Sequence, residues 1–121
     1  MSQSASKESF REKMVNWAKT RRFTNIKANL DGHEKPTAYS KPDEEKPYVP
    51  DATGIKLGVK SYFEVAMKSD NNERVIRKWK LLSTLAEMRN GKLYLFAPKG
   101  HKAFVTGIVK ERNLRASVES I

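Results

Sequence analysis

The sequence predicts a single α/β domain in which a mixed β-sheet is flanked by helices. Its 121 residues are enough for one domain with a modest core. Apolar residues recur at helical intervals in three segments and alternate with polar residues in the segments between them. The predicted order is helix, three strands, helix, strand, helix. The passage from the third strand through the second helix to the fourth strand is typical of a parallel crossover, which makes the sheet mixed.

The first helix is predicted to begin near Ser9, because Ser9 and Glu12 have the spacing of a capping box. Trp17 belongs to its apolar stripe, and we expect the helix to end between Thr20 and Arg22. Residues 1–7 are small and polar and are expected to be flexible.

Three strands are predicted to follow, and three adjacent strands suggest a meander. The first alternates apolar and polar residues from Phe23 to Leu30, and the second covers residues 48–53. A polar loop with three prolines, residues 33–47, separates these two. The third strand is predicted over residues 59–68, with Gly54 and Gly58 framing the turn before it.

The second long helix is the most strongly patterned segment of the chain. Asp70 and Glu73 again have capping-box spacing, and Gly91 is expected to cap the far end. Its predicted core stripe consists of Val75, Trp79, Leu82, Leu85 and Ala86.

The last third of the chain predicts one strand and one helix. Residues 93–97 form a continuous apolar run, as expected of a strand that is covered on both faces. A helix is predicted over residues 101–112, and the pattern of residues 114–121 is ambiguous.

The charge of the chain indicates a polyanionic partner. The 24 Lys and Arg residues exceed the 14 acids by ten, and the sequence pI is near 9.9. Nucleic acid is the partner that best fits this charge, an anionic membrane surface is second, and a merely soluble basic protein is the third interpretation. We expect no membrane partner, because the chain has no apolar stretch of about 20 residues and no basic amphipathic helix with an exposed apolar face is evident.

The absence of cysteine excludes disulfides, thiolate zinc sites and cysteine nucleophiles. It suits a reducing compartment. The first ten residues, MSQSASKESF, contain no apolar core of a signal peptide. We therefore expect a cytoplasmic protein.

Two acids in strand-like segments are candidates for a metal site. Asp51 follows Pro50, and Glu64 lies between Phe63 and Val65. A charge in such a setting is costly unless it is paired or coordinated. Two carboxylates from adjacent strands suit Mg²⁺ or Mn²⁺, and a bound metal would polarise a phosphodiester and activate a water. The alternative is that Glu64 pairs with a neighbouring lysine while Asp51 caps a turn.

Pro50-Asp51, followed by Glu64 in an apolar strand, resembles the signature of the PD-(D/E)XK, or restriction-endonuclease-like, nuclease superfamily. The resemblance covers residues 10–97 and implies a core of a helix, a three-strand meander, a helix and a strand. It implies Mg²⁺-dependent cleavage of DNA phosphodiester bonds. Small members of the superfamily often dimerise, so it also implies a homodimer or a subunit of a larger complex.

One position departs from this pattern. Ala66 stands where the family has its lysine, two residues after the glutamate. We expect Lys68 to supply the catalytic ammonium from the strand face that it shares with Glu64, and Lys78 or Lys80 of the next helix are alternatives. Ala66 also favours a second interpretation, in which the same fold is a non-catalytic nucleic-acid-binding or assembly module.

The remaining predictions concern residues around this site. Glu8 or Glu12 of the first helix is an alternative third metal ligand, although a capping role for Glu12 is the stronger interpretation. Basic residues near the start of the second long helix and after the fourth strand are predicted to hold phosphates. These are Arg74, Arg77, Lys78, Lys99 and Lys102.

Overall fold

A five-stranded mixed sheet organises the chain in the computed structural model, which describes residues 3–121 and the side chains from Lys7 onward. The strands lie in the order in which they occur in the sequence. The elements are α1 (Gln3–Thr20), β1 (Thr24–Ala28), β2 (Ala52–Lys56), β3 (Val59–Val65), a short 3-10 helix (Lys68–Asp70), α2 (Glu73–Glu87), β4 (Leu93–Ala97), α3 (Lys102–Glu111) and β5 (Ser117–Ser120).

The sheet has an antiparallel half and a parallel half. Strands β1, β2 and β3 form the predicted meander, and β4 and β5 run parallel to β3. The predicted α/β class, the mixed sheet and the parallel passage from β3 to β4 are confirmed. The segment whose pattern was ambiguous forms β5, which extends the sheet beside β4.

Helices cover both faces of the sheet, as expected. On one face α1 packs against Phe63 and Val65 of β3. On the other face α2 and α3 cover Tyr62 of β3 and Ala66, which follows the strand. Trp79 of α2 is fully buried in this layer. Because side chains alternate along a strand, Glu64 shares the second face with Tyr62 and Ala66.

The start of α1 was predicted wrongly. The helix includes residues 3–7, which were expected to be flexible, and Ser9 and Glu12 are exposed within it. Ala5, Lys7 and Glu8 are good helix formers, and nothing in the segment stops the helix at Ser9. Residues 1 and 2 of the predicted flexible segment lie outside the described residues. The helix ends at Thr20, within the predicted range of residues 20–22.

Strand β2 begins at Ala52, four residues later than predicted. It also includes Gly54, which was expected in the turn. A Cβ at Gly54 would lie 3.2 Å from carbons of both Phe23 and Phe63, so two packed aromatic rings leave little space for a side chain there. The turn is made by Leu57 and Gly58, whose φ angles of 52° and 77° are both positive.

Strand β3 ends at Val65, and the chain then turns before α2 begins. The carboxylate of Asp70 accepts a hydrogen bond from the backbone N–H of Met67 at 2.8 Å and stabilises this turn. Asn72 caps α2 in its place, accepting from the N–H of Val75 at 3.0 Å, so the predicted capping box at Asp70 is wrong. Lys68 therefore lies in the 3-10 helix and not on the strand face of Glu64.

Gly91 follows α2 for a reason other than the predicted cap. Asn90 takes the left-handed conformation, with φ of 63°. A Cβ at Gly91 would lie 1.9 Å from the backbone oxygen of Lys60, so glycine is required by the close approach of the two chain segments. The strand over residues 93–97 is confirmed, and α3 lies within the predicted range.

Candidate functional site

Asp51 and Glu64 come together at the end of the sheet where β2 begins and β3 ends. The register pairs Ala52 with Phe63, which places Asp51 beside Glu64. The N–H of Asp51 donates to Oε2 of Glu64 at 2.8 Å, and the N–H of Val65 donates to Oδ2 of Asp51 at 2.8 Å. Only 4% of Asp51 and 3% of Glu64 is exposed to solvent.

Each carboxylate also has a cationic partner from a different helix. Nζ of Lys78, on α2, lies 3.0 Å from Oε2 of Glu64. Nε of Arg11, on α1, lies 2.9 Å from Oδ1 of Asp51. The indole Nε1 of Trp79 donates to Oε1 of Glu64 at 3.2 Å. All four carboxylate oxygens therefore accept from protein donors, and when both acids are ionised two positive charges balance two negative charges.

We call Arg11, Asp51, Glu64 and Lys78 the ion cluster. Its members belong to α1, the residue before β2, β3 and α2, so the cluster links both helical layers to the sheet. Removing one partner from such a cluster would leave a buried charge uncompensated, which is much more costly than losing an exposed pair.

The environment of the ion cluster changes how Glu64 titrates. Burial raises the pKa of Glu64 to about 7, the nearby charge of Asp51 adds to this, and Lys78 opposes it. Burial also works against the charged form of Lys78, but the carboxylates of Glu64 and Asp51 outweigh it and raise the pKa of that ammonium. Near neutral pH, therefore, Lys78 is charged and Glu64 is close to its titration point.

The ion cluster has the right ligand type for Mg²⁺ but not an arrangement that fits the ion. Carboxylate oxygens are what Mg²⁺ prefers, together with several waters in an octahedral shell. Here the oxygens already face two cations, a backbone amide at each carboxylate and an indole N–H, with almost no exposed surface. Among the described residues there is no group of three or more His, Asp or Glu residues that could hold a metal. Binding of Mg²⁺ or Mn²⁺ stays a prediction.

Lys78, and not Lys68, supplies the ammonium that contacts Glu64. Lys68 is exposed in the 3-10 helix, where its backbone N–H contacts Nδ1 of His101 at 3.0 Å. Lys78 was one of the two alternatives to Lys68 that the sequence predicted for this ammonium. Glu8 and Glu12 are exposed on α1, and Arg11 is the α1 residue that reaches Asp51.

Two of the predicted phosphate-binding residues contact the loop before β2. Arg74 and Arg77 lie 3.5 Å and 3.7 Å from carboxylate oxygens of Glu44. The Arg74 guanidinium also lies 4.2 Å above the ring centroid of Tyr48 and donates to the backbone oxygen of Pro47 at 3.0 Å. These contacts attach the 33–47 loop to α2, and they reduce the positive charge that the two arginines offer to a ligand.

Of the remaining three predicted phosphate-binding residues, Lys78 is paired with Glu64, whereas the other two are open to solvent. Lys99 lies in the turn after β4, Lys102 is the first residue of α3, and both are exposed. Strands β3 and β4 are parallel, so their ends bring this turn next to Lys68. We call these three exposed lysines the strand-end lysines: Lys68, Lys99 and Lys102.

Sequence reasoning missed the roles of Arg11 and of the Trp79 indole. Arg11 belongs to the basic face of a helix, and nothing in its spacing shows that it reaches a strand 40 residues later. Trp79 was expected in the core, and its exposure of 0% confirms this. A buried indole N–H needs an acceptor, and that requirement is the one signal that could have connected Trp79 to Glu64.

Comparisons of the chain with protein-family models, with curated proteins and with solved structures found no match. Within residues 3–121, no helix combines the length and apolar character needed to cross a bilayer. The functional interpretation therefore rests on the residues of the chain itself.

Proposed function

We propose that this chain is a nucleic-acid-binding domain with the restriction-endonuclease-like fold, in which the buried carboxylate pair stabilises the fold and does not cleave phosphodiesters. The observation that carries this proposal is the ion cluster. Asp51 and Glu64 direct all four oxygens to protein donors and are almost fully buried. A catalytic carboxylate pair has to reach the substrate or its metal, whereas these oxygens are used within the protein.

The order of the elements supports the fold assignment. From α1 to β4 the chain forms a helix, a three-strand meander, a helix and a strand parallel to β3. The resemblance of Pro50-Asp51 and Glu64 to the PD-(D/E)XK signature implies this order. The acids of that signature lie at the end of the β2–β3 pair, next to each other.

The distribution of charge supports a polyanionic ligand. Eight of the 24 basic side chains have a carboxylate oxygen within 4.0 Å, and across residues 7–121 the remainder have none. These eight cations face seven acids, so the 16 basic and seven acidic side chains without such a partner carry +9 of the net charge of +10. DNA, with its dense phosphate charge, would release counterions when such side chains bind it.

The test is the affinity for a labelled DNA duplex, measured by fluorescence anisotropy at about 50 and about 200 mM salt. We expect log K to fall steeply with log salt, and binding to persist in a chelator. A flat response to salt would refute the electrostatic mode. Binding that requires a divalent cation would refute the structural role of the carboxylate pair.

A metal-dependent nuclease is the second candidate, favoured by one observation. Asp51, Glu64 and Lys78 meet at one end of the β2–β3 pair, and two acids with a lysine are the residue set that the resemblance implies. The test is plasmid nicking in Mg²⁺ or Mn²⁺ by the wild type, Asp51→Asn and Glu64→Gln. Nicking by the wild type that both substitutions abolish, in variants that circular dichroism shows to be folded, would establish the nuclease and overturn the leading proposal. Dimer formation and cytoplasmic location stay predictions.

A further inference from the structure

The two exposed large apolar side chains of the described residues lie at the end of the sheet opposite the ion cluster. Leu57 is 94% exposed at the tip of the β2–β3 hairpin, and Met88 is 73% exposed just after α2. Exposed apolar side chains are ordinary when they are isolated. What distinguishes these two is the conformation of Leu57 and the charge around both.

Leu57 is an unfavourable residue for its position in the turn. It has a φ of 52°, next to Gly58 at 77°, and a two-residue hairpin turn with two positive φ angles favours Asn-Gly. A leucine side chain crowds the backbone in this conformation, and at 94% exposure it gains almost no burial in return. Neither the turn nor the core therefore explains a leucine here.

Basic residues flank both apolar side chains. One groove lies between Lys56 and Lys92, with Leu57 among its lining residues. A second groove includes Lys60, Arg89 and Met88. Neither groove has an aspartate or a glutamate among its lining residues. We call these six residues the hairpin surface: Lys56, Leu57, Lys60, Met88, Arg89 and Lys92.

The backbone brings the two grooves together, and aromatic rings hold two of the lysines. Gly91 packs against the backbone oxygen of Lys60, and the N–H of Tyr62 donates to the oxygen of Lys92 at 2.9 Å. Nζ of Lys60 lies 5.3 Å from the ring centroid of Tyr62, and Nζ of Lys56 lies 5.4 Å from that of Phe23. The lysine positions are thus partly set before any ligand binds.

We propose that the hairpin surface binds duplex DNA, with its four cations on phosphates and Leu57 inserted into the minor groove at a base step. This inference rests on the proposed nucleic-acid-binding function and assigns a surface to it. Proteins that bind the minor groove insert single apolar side chains between base steps from a basic surface. An acidic partner protein fits less well, because a protein interface needs a continuous apolar centre, and here Leu57 and Met88 line separate grooves.

The experiment compares the wild type with Leu57→Asn on a duplex that carries 2-aminopurine and a dye at each end. We expect the wild type to raise the 2-aminopurine fluorescence by unstacking and to shorten the dye separation by bending. The Asn variant keeps the turn, because asparagine tolerates a positive φ. It should lose both signals and bind about tenfold more weakly, with an unchanged salt slope, because an apolar side chain releases no counterions.

A triple variant tests the cations separately. In Lys56→Gln, Lys60→Gln and Lys92→Gln combined, the slope of log K against log salt should become shallower by about 0.9 for each phosphate that the variant no longer neutralises. The charge-matched control replaces three exposed lysines outside the hairpin surface, Lys13, Lys46 and Lys80, by glutamine and should keep the wild-type slope. Thermal melts verify that each variant is folded.

The outcomes separate this proposal from the one on which it rests. If the wild type binds no duplex at any salt concentration, the nucleic-acid-binding function is refuted together with this surface. If the wild type binds but neither hairpin variant changes affinity, salt slope or fluorescence, only the hairpin surface is refuted. The phosphate contacts would then lie elsewhere on the chain, and the strand-end lysines would be the next group to test.

Discussion

Replacing Lys78 by methionine should make the stability of this domain depend on pH in a defined way. Nζ of Lys78 is the ammonium 3.0 Å from Glu64, whose pKa burial raises to about 7 in the wild type. Methionine keeps the apolar packing of the side chain on α2 but removes the charge. The pKa of Glu64 should then rise further, because the main opposing charge is gone.

The sign follows from proton linkage. In the unfolded chain the pKa of a glutamate is about 4.3, so the raised pKa of Glu64 favours the native state at low pH, and this contribution is lost as the pH rises from about 4.3 to about 7. Above pH 7 the titration of Glu64 no longer lowers the free energy of unfolding of the wild type. In the variant that free energy continues to fall until Glu64 ionises. The two proteins should therefore diverge by about 1.4 kcal/mol per pH unit, which gives about 3 kcal/mol at pH 9.

Urea denaturation followed by circular dichroism at pH 6, 7, 8 and 9 measures this difference. Two controls accompany it: Lys80→Met changes an exposed lysine of the same helix and should stay within about 0.5 kcal/mol of the wild type. The double variant Glu64→Gln, Lys78→Met has no carboxylate at position 64 left to titrate and should follow the wild type without divergence above pH 7. A Lys78→Met protein whose deficit is constant from pH 6 to 9 would refute the coupling of Lys78 to Glu64.

Three further predictions concern single residues of the fold, all measured as the free energy of unfolding in urea. Trp79→Ala should cost about 3–5 kcal/mol because the side chain is fully buried. Trp79→Phe keeps a ring but loses the hydrogen bond to Glu64, and it should cost about 1–3 kcal/mol. Equal losses in the two variants would mean that the indole N–H accounts for the whole effect. Gly91→Ala should cost about 1–3 kcal/mol because its Cβ would overlap the Lys60 oxygen, and an unchanged midpoint would contradict the close approach. Leu57→Asn should stabilise the domain by about 1 kcal/mol, and a destabilised variant would show that the leucine has packing partners.

The periodicity of apolar residues predicted most of the helices and strands, because each of them buries one apolar face. The core stripe of α2 is an example: Trp79, Leu82 and Ala86 repeat at helical spacing and are all buried. The ends of elements depend on contacts that are remote in sequence. Gly54 looked like a turn residue, and only the rings of Phe23 and Phe63 explain why glycine occupies a strand.

The candidate site shows the same division between local patterns and contacts that are remote in sequence. Local patterns were enough to predict that Asp51 and Glu64 lie together, because their spacing around a hairpin and the apolar residues beside them are local properties. The sequence also determined the excess of basic residues, from which a polyanionic ligand is inferred. These conclusions need only composition, alternation and short-range spacing.

The surroundings of the two carboxylates depend on how the helices pack against the sheet. Arg11 comes from a helix 40 residues before Asp51, and Lys78 from a helix that is placed over Glu64 by the β3–α2–β4 crossover. A long basic side chain has the same sequence pattern whether it extends into solvent or folds back onto a buried acid. Which of these occurs depends on where the helices pack. The packing therefore also determines whether a buried acid is left to bind a metal or is already neutralised within the protein.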